Sequence, residues 1–538
     1  MSELRLVPAA LVVWFAAIAV LTQGLGVAVV GAALVAGGCF LVGERGQAVL
    51  ISALGFASAI VAAVRTHIAA GWDFAQPITA TVSGQPKQLE NGSWLTRLAP
   101  SGHPSTLAVF SDSVPDGIAA GTTVTASGTL QESGRVGVNP YVLSGTLELE
   151  APPTGLAALA LRVRAIFGAS VEATVGPSTR GLIPGMVLGD TTAQTAAEEQ
   201  AYIDTGLSHL SAVSGSNVAI VTTAAVLLAT ALRLNLYLRL ASAAVALLSF
   251  AALVGPEPSV LRASVTGLVG LVAVVASTRA EPLHALCLSV IGLVLVDTDL
   301  AVHYGFALSV VATAGIVALS PLLYTALAVT GWPDILVRAL AVAIAADVVT
   351  MPIVALMAGR VSLVSVAANV LVAPVVAPIT ILGLVAVVLS LLPGGLEVPL
   401  LWCIEPMAWW VHTVARVGAG LPVATMPAAP LTALVLYGWV VAGIVAKRTR
   451  LTLALTAVIM VVPSLAPQAP VVDQSTLRAH VVASKTGIEP VPPGTQLVVV
   501  LESGPPTKRP AMTPQGVPVI YPNRDGPVTL RADGTREP

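Results

Sequence analysis

Residues 206–220 read GLSHLSAVSGSNVAI and crowd one histidine, four serines and an asparagine into the start of a long apolar run. Hydrocarbon offers such groups no water, so His209, Ser211, Ser214, Ser216 and Asn217 are expected to face a protein interior or a wet cavity. On an ideal helix His209, Ser216 and Asn217 share one arc of about 100°, while Ser211 and Ser214 point elsewhere. Gly215 is placed to break that helix. Freed backbone groups beside hydroxyls would suit an anionic or hydrated cargo crossing a midplane. The competing reading is close helix packing through small residues, with His209 at the interface.

Further along, Pro258 suits the first position of a helix and puts Arg262 about one turn inside it. That guanidinium can bind phosphate, pair with Glu257 or reach out to headgroups. Asp347 falls near the centre of an apolar run, five residues before Pro352. An intramembrane carboxylate suggests a proton relay, ion coupling or a partner for a buried cation, against a purely structural hydrogen-bonding role. Asn369, followed by Pro374 and Pro378, predicts a broken or re-entrant segment, since each proline removes a helix bond. No HxHxDH, HExxH, Walker loop or nucleophile elbow is present, and no acid completes a triad with Ser214 or Ser216 and His209. Enzyme activity is disfavoured, and no cofactor or metal site is expected. Cys39, Cys287 and Cys403 lie in apolar stretches without CxxC spacing, so neither a disulfide framework nor a thiolate metal site is suggested.

Composition defines the elements that must hold these groups. With 538 residues, 55% hydrophobic and 10% charged, the chain lacks the charged surface of a soluble globule. Its mean hydropathy is +0.87, and a polytopic α-helical membrane protein is expected. The balance of 26 basic against 28 acidic residues gives no global attraction to a polyanion. Three spans are predicted near 8–21, 24–42 and 47–64, forming an N-terminal unit of residues 1–66. Residues 67–152 alternate in short runs, the mark of a small β-domain of about five strands, of which an OB-like barrel is the natural guess. Residues 153–208 follow, with an amphipathic helix at 156–175 along the membrane surface and a polar helix at 191–204. About ten apolar runs then fill 209–466: 209–232, 236–255, 259–278, 282–297, 302–320, 335–357, 361–392, 399–420, 430–446 and 451–466. The proline-rich tail, 467–538, is expected to hold a few strands around 497–503 or to be partly disordered. Cations place Arg45, Arg233, Arg239, Arg279 and the group Lys447, Arg448 and Arg450 inside, and the β-domain and tail outside; Arg65 is a mild exception.

These residues resemble a known family, the competence-type DNA-uptake channels (ComEC/Rec2). LIPGMVLGDTTA (182–193), GLSHLSAVSGSNVAI, PSVLRAS (258–264), YGFALSVVATAGI (304–316) and SVAANVLVAPVVAPI (365–379) are similar to that family's signatures, in order. The resemblance reaches from the N-terminus to about residue 467 and implies import of single-stranded DNA across a bacterial cytoplasmic (inner) membrane during natural transformation. Carried over by motif, His209, Ser214, Gly215, Asn217, Arg262, Phe306, Asn369 and Pro374 become candidates for a pathway or its packing, and Ser216 and Asp347 join them on their own chemistry. A dehydrated polyanion in hydrocarbon is prohibitive, so a polar, wet route is required.

The family pattern is not matched throughout. Many members end in a metal-dependent β-lactamase-like domain, for which this tail has neither the length nor the ligands, so a separate nuclease is expected to degrade the second strand. The β-domain carries only Lys87, Arg97 and Arg135 against seven carboxylates between residues 73 and 150. Trp94 and Tyr141 are its candidate stacking residues beside Arg97 and Arg135, and its DNA affinity is expected to be weak and salt-sensitive. Expected partners are single-stranded DNA, membrane lipids, an external DNA receptor and a cytoplasmic motor. Two rival readings are a proton-coupled secondary transporter of a small or lipid-like solute, using Asp347 and His209, and a membrane-embedded hydrolase built on Ser214 or Ser216.

Overall fold

The computed structural model describes residues 4–537 except 90–92, 212, 277–280, 422–423, 466–476, 503–510, 514, 523–528 and 531–535. Helices α1 (Val7–Gln23), α2 (Leu25–Leu41) and α3 (Arg45–Ala70) form an N-terminal group. Gly24 alone links α1 to α2 at φ 92°, a conformation that side chains disfavour. α1 and α3 run parallel: Gln47 Nε2 donates to the Arg5 carbonyl (2.6 Å), and Ser58 Oγ to that of Val13 (2.8 Å).

The β-domain comprises β1 (Ile78–Val82), β2 (Lys87–Gln88), β3 (Trp94–Pro100), β4 (Leu107–Ser111), β5 (Thr123–Glu132) and β6 (Tyr141–Ala151). Its ladders run β1-β3-β4-β6-β5 and close back on β1, with β2 an added edge on β3. β4 and β6 are parallel and every other neighbour is antiparallel. Strict alternation in β1 and β4 sends Ile78, Ala80, Val82, Leu107 and Val109 into the barrel, where Leu98, Val124 and Leu143 meet them. The expected number of strands is therefore found, as a closed five-stranded barrel.

The larger helical domain follows as α4 (Gly155–Thr174), α5 (Leu182–Leu188), α6 (Ala196–Asp204), α7 (Ser208–Ser211), α8 (Gly215–Ala231), α9 (Leu236–Val254), α10 (Pro258–Val275), α11 (Pro282–Val296), α12 (Tyr304–Leu327), α13 (Asp334–Ala358), α14 (Ser365–Ser390), α15 (Val398–Ala419), α16 (Pro430–Val445) and α17 (Thr449–Leu465). A two-stranded antiparallel sheet of β7 (Arg360–Ser362) and β8 (Thr425–Pro427), strands separated in the chain by α14 and α15, brings the end of α13 to the start of α16. Six described helices are long and apolar enough to cross a membrane: α3, α9, α10, α12 extended to Thr330, α13 and α14. α1, α2, α8, α11 and α16 are apolar but shorter.

Each predicted run has its helix, with four differences. The first run breaks, as Gly215 suggested, so α8 begins only there. α14 is continuous over 26 residues, which corrects the expected break at Pro374 and Pro378. Each proline deletes one donor while the rest of the ladder holds the axis, and the Trp410 indole donates to the Leu371 carbonyl beside the first (2.9 Å). α15 is not among the helices apolar enough to span; it carries Glu405, which accepts from the Gly176 amide (2.7 Å), and His412, 3.8 Å from Glu198. α5, which the sequence marked only as a motif, has all seven residues buried, at the centre of the main core with α14 and α15. In the tail, β9 (Ala479–Val482), β10 (Leu497–Val500), β11 (Ala511–Met512) and β12 (Pro518–Ile520) make a small sheet in the order β11-β12-β10-β9 around Val498, Val500 and Val519. The predicted 497–503 strand is its centre, and residue 503 lies outside the described residues.

Contacts assign the turns to two ends. At one end sits the barrel. Ser105 Oγ and the Val138 amide donate to Asp299 (2.5 and 2.7 Å) in the short turn Thr298–Val302 between α11 and α12, and Lys87 pairs with Glu199 of α6 at 2.7 Å. Arg65 at the end of α3 binds the Val296 carbonyl and Thr298 there. At the other end Thr449 Oγ1 donates to the Ala326 carbonyl, bringing Lys447 and Arg448 beside the end of α12.

Candidate functional site

Two polar clusters lie inside the helical domain. The first is built by the segment from α6 to α8. Gly206 ends α6 at φ 68°, and a Cβ there would lie 2.3 Å from Ser365 Oγ, so both conformation and space demand glycine. The Gly206 carbonyl accepts from His209 Nδ1 (3.1 Å), which fixes the proton on that nitrogen. Ser211 Oγ turns back onto Ser208, and its own carbonyl accepts from Gln194 Nε2 (2.7 Å).

Ser214 occupies the N-cap of α8 in extended conformation but caps no amide; its hydroxyl bonds that of Ser216 at 2.6 Å. Asn217, 3% exposed, donates to the Met186 carbonyl (2.9 Å) and ties the first turn of α8 to α5. A Cβ on Gly215 would meet Arg262 Nη2 at 2.7 Å, so the guanidinium lies directly against the start of α8. Arg262 is 6% exposed, its Nε donates to Ser309 Oγ of α12 (2.8 Å), and no ion pair among the described residues includes it.

The second cluster faces the Gly206 turn. Asp347, 7% exposed on α13, accepts from Ser365 Oγ (3.0 Å) through Oδ1, while Oδ2 is buried without a partner among the described residues. Asn369 Nδ2 folds back on the Ser365 carbonyl (3.0 Å) and hydroxyl (3.3 Å). The Tyr437 hydroxyl of α16 donates to the Ser362 carbonyl at the mouth of α14. Ser365 thus joins α13, α14 and the Gly206 turn, bringing Asp347 and Asn369 within one contact of the His209 segment.

The sequence candidates divide accordingly. His209 and Asn217 do not share a helical face, because residues 213 and 214 separate α7 from α8. Ser214 and Ser216 bond each other, and His209 bonds a carbonyl, so these contacts contain no serine–histidine pair. Phe306 is fully buried, edge-on to Trp14 with ring centroids 5.5 Å apart, and belongs to packing between α1 and α12. Pro374 is exposed on the outer face of α14. In the barrel, Trp94 and Arg97 point to opposite faces of β3, Arg135 lies exposed in the β5–β6 loop, and Tyr141 packs edge-on to Phe74 at the rim of the core. These four do not form one stacking face.

Sequence reasoning missed Gly206, Ser309, Ser365 and Asp299. Gly206 and Ser365 opened motifs already noted, and Asp299 is an acid between two apolar runs. Beside it, burial and Asp299 push the Asp297 carboxyl up, with Arg65 opposing. His303 caps α12 by accepting the Gly305 amide on Nδ1 (3.1 Å), and burial, then Arg97, push its imidazole pKa down, with Asp299 opposing.

Residues 186–451 match the family model described as Competence protein, a stretch that contains both clusters and excludes the barrel, α4 and the tail. No curated protein and no solved structure is similar to the chain.

Proposed function

The helical domain of this chain, residues 186–451, belongs to the competence protein family, and from that premise we propose that the protein is a multi-pass channel of a bacterial cytoplasmic membrane that imports single-stranded DNA during natural transformation. The observation that carries this reading is a continuous polar seam: Gly206, His209, Ser214, Ser216, Arg262, Ser365 and Asn369 lie at or near helix starts and turns, and Ser365 links them to Asp347 midway along α13. His209 and Ser216 are open to the surface, whereas Arg262 and Asp347 are closed off. Passage of a strand therefore requires α8, α10 and α14 to part, and the seam is where polar groups would meet it.

Orientation follows from charge. Arg45, Arg233, Arg239, Lys447 and Arg448 fall at helix ends away from the barrel, which the positive-inside rule assigns to the cytoplasm, leaving barrel and tail outside. The barrel's strand order, with one parallel pair, suits an OB-like domain at the channel mouth. The protein does no covalent chemistry in this reading. A motor, an external receptor and a nuclease act as separate partners.

The test is a clean deletion in a competent host. Transformation should vanish while DNA still binds the cell surface, and complementation should restore it; normal transformation in the deletion strain would overturn the reading. Asp347, with one oxygen unpartnered among the described residues, favours a second reading as a proton-coupled transporter. If Asp347→Asn removes a proton-dependent solute flux and leaves DNA entry intact, that second reading stands.

A further inference from the structure

Arg262 and the N-terminus of α8 face each other with like electrostatic sign. A helix start carries roughly half a positive charge on its free amides, and α8 spans 17 residues, enough to develop it. Its N-cap hydroxyl is turned away onto Ser216, so the Gly215 and Ser216 amides have no acceptor among the described hydrogen bonds. Against them lies a guanidinium that is 94% buried, bonded only through Nε to a neutral serine, its two Nη groups without a partner among the described residues. Glu257, the nearest acid along the chain, couples electrostatically to Arg164, whose guanidinium binds the Leu253 and Val254 carbonyls. A buried cation is costly unless an opposite charge meets it. Gly215 is what lets the two approach.

Resting on the uptake reading, we propose that Arg262, the first amides of α8 and the Ser214 and Ser216 hydroxyls form a phosphate-binding site that holds one phosphodiester of the entering strand. The guanidinium, the amides and the one hydroxyl proton that the Ser214–Ser216 bond leaves free all donate, and a tetrahedral oxyanion accepts from each. Such a contact reads no base, so it suits a strand of any sequence. A phospholipid headgroup offers the same chemistry, and the experiment separates the two.

The full chain is reconstituted in phosphatidylcholine nanodiscs, and binding of a labelled oligothymidylate is titrated against salt for wild type, Arg262→Gln, Arg262→Lys and Gly215→Ala. The Gly215 substitution displaces the guanidinium without removing it, so it tests the site should Arg262→Gln fold poorly. Arg262→Gln and Gly215→Ala should each weaken binding about tenfold or more, and the log–log salt slope should fall by about 0.7, the loss of one single-strand phosphate contact. Arg262→Lys should retain part of the affinity. Unchanged affinity and slope in both Arg262→Gln and Gly215→Ala would overturn the site. If the variants instead lose binding only to phosphatidylglycerol supplied in the nanodisc, the strand is overturned as occupant. Normal transformation by an Arg262→Gln strain whose protein has lost oligonucleotide binding would sink the uptake reading and leave the site, whereas lost transformation with intact binding would do the reverse.

Discussion

Gly206 shows how one residue couples two clusters distant in sequence, from residue 206 to residues 365 and 369. Its substitution by alanine should cost more than about 1 kcal/mol, because the positive φ and the Ser365 contact both resist a Cβ. Thermal unfolding of the detergent-solubilised protein measures this, and an unchanged midpoint would show that the turn is not held as described. Asn217 offers a complementary test. Asn217→Ala strands the Met186 carbonyl between α5 and α8, and about 1–3 kcal/mol should be lost. Asn217→Asp, which keeps the shape but cannot donate in its charged form, should do no better than alanine in the same melt. Arg262 and Asp347 differ from both, since each leaves polar atoms unspent, and groups left unspent in a folded interior are where ligand or proton chemistry belongs.

At the scale of elements, polar side chains act mostly by joining helices end to side. Arg164 reaches the carbonyls ending α9 and Asn217 reaches α5, whereas His303 caps the Gly305 amide of its own helix, α12. The His303 cap requires a neutral imidazole, because Nδ1 must accept. With its folded pKa depressed, this cap contributes fully above the unfolded value of about 6.5 and is lost as pH falls through the lower folded value. The melting midpoint should therefore drop on acidification below that range, and His303→Asn, which still caps but does not titrate, should flatten the profile. A pH profile identical in the variant would remove His303 from the account. α14 carries the opposite lesson. Two prolines in a 26-residue helix read as a break in sequence, yet packing against α5 and α15 holds the helix together.

For the whole molecule, Asp299 makes two of the described hydrogen bonds that fasten the barrel to the helical domain. Asp299→Ala should leave barrel and bundle each folded but loosen their junction, seen as faster exchange of the Val138 amide, which donates to Asp299, without loss of protection in β1, β3 or β4; unchanged exchange would mean that Lys87 with Glu199 and the chain linkage suffice. Much of this architecture was already legible. Apolar periodicity and length gave the long apolar helices of the bundle, though not α5, the break before α8 or the full length of α12, and alternation gave the five barrel strands, because both signals are local and repeat along one element. Broad motif order also pointed to the family before any fold was known. What the sequence could not supply was partnership. That Ser365 bridges Asp347 to Gly206, that Arg262 abuts Gly215, that Phe306 belongs to Trp14 and that Asp299 holds the barrel are all contacts between segments distant in the chain. Such contacts depend on which faces the helices turn to one another, and that choice is made by packing the whole core at once.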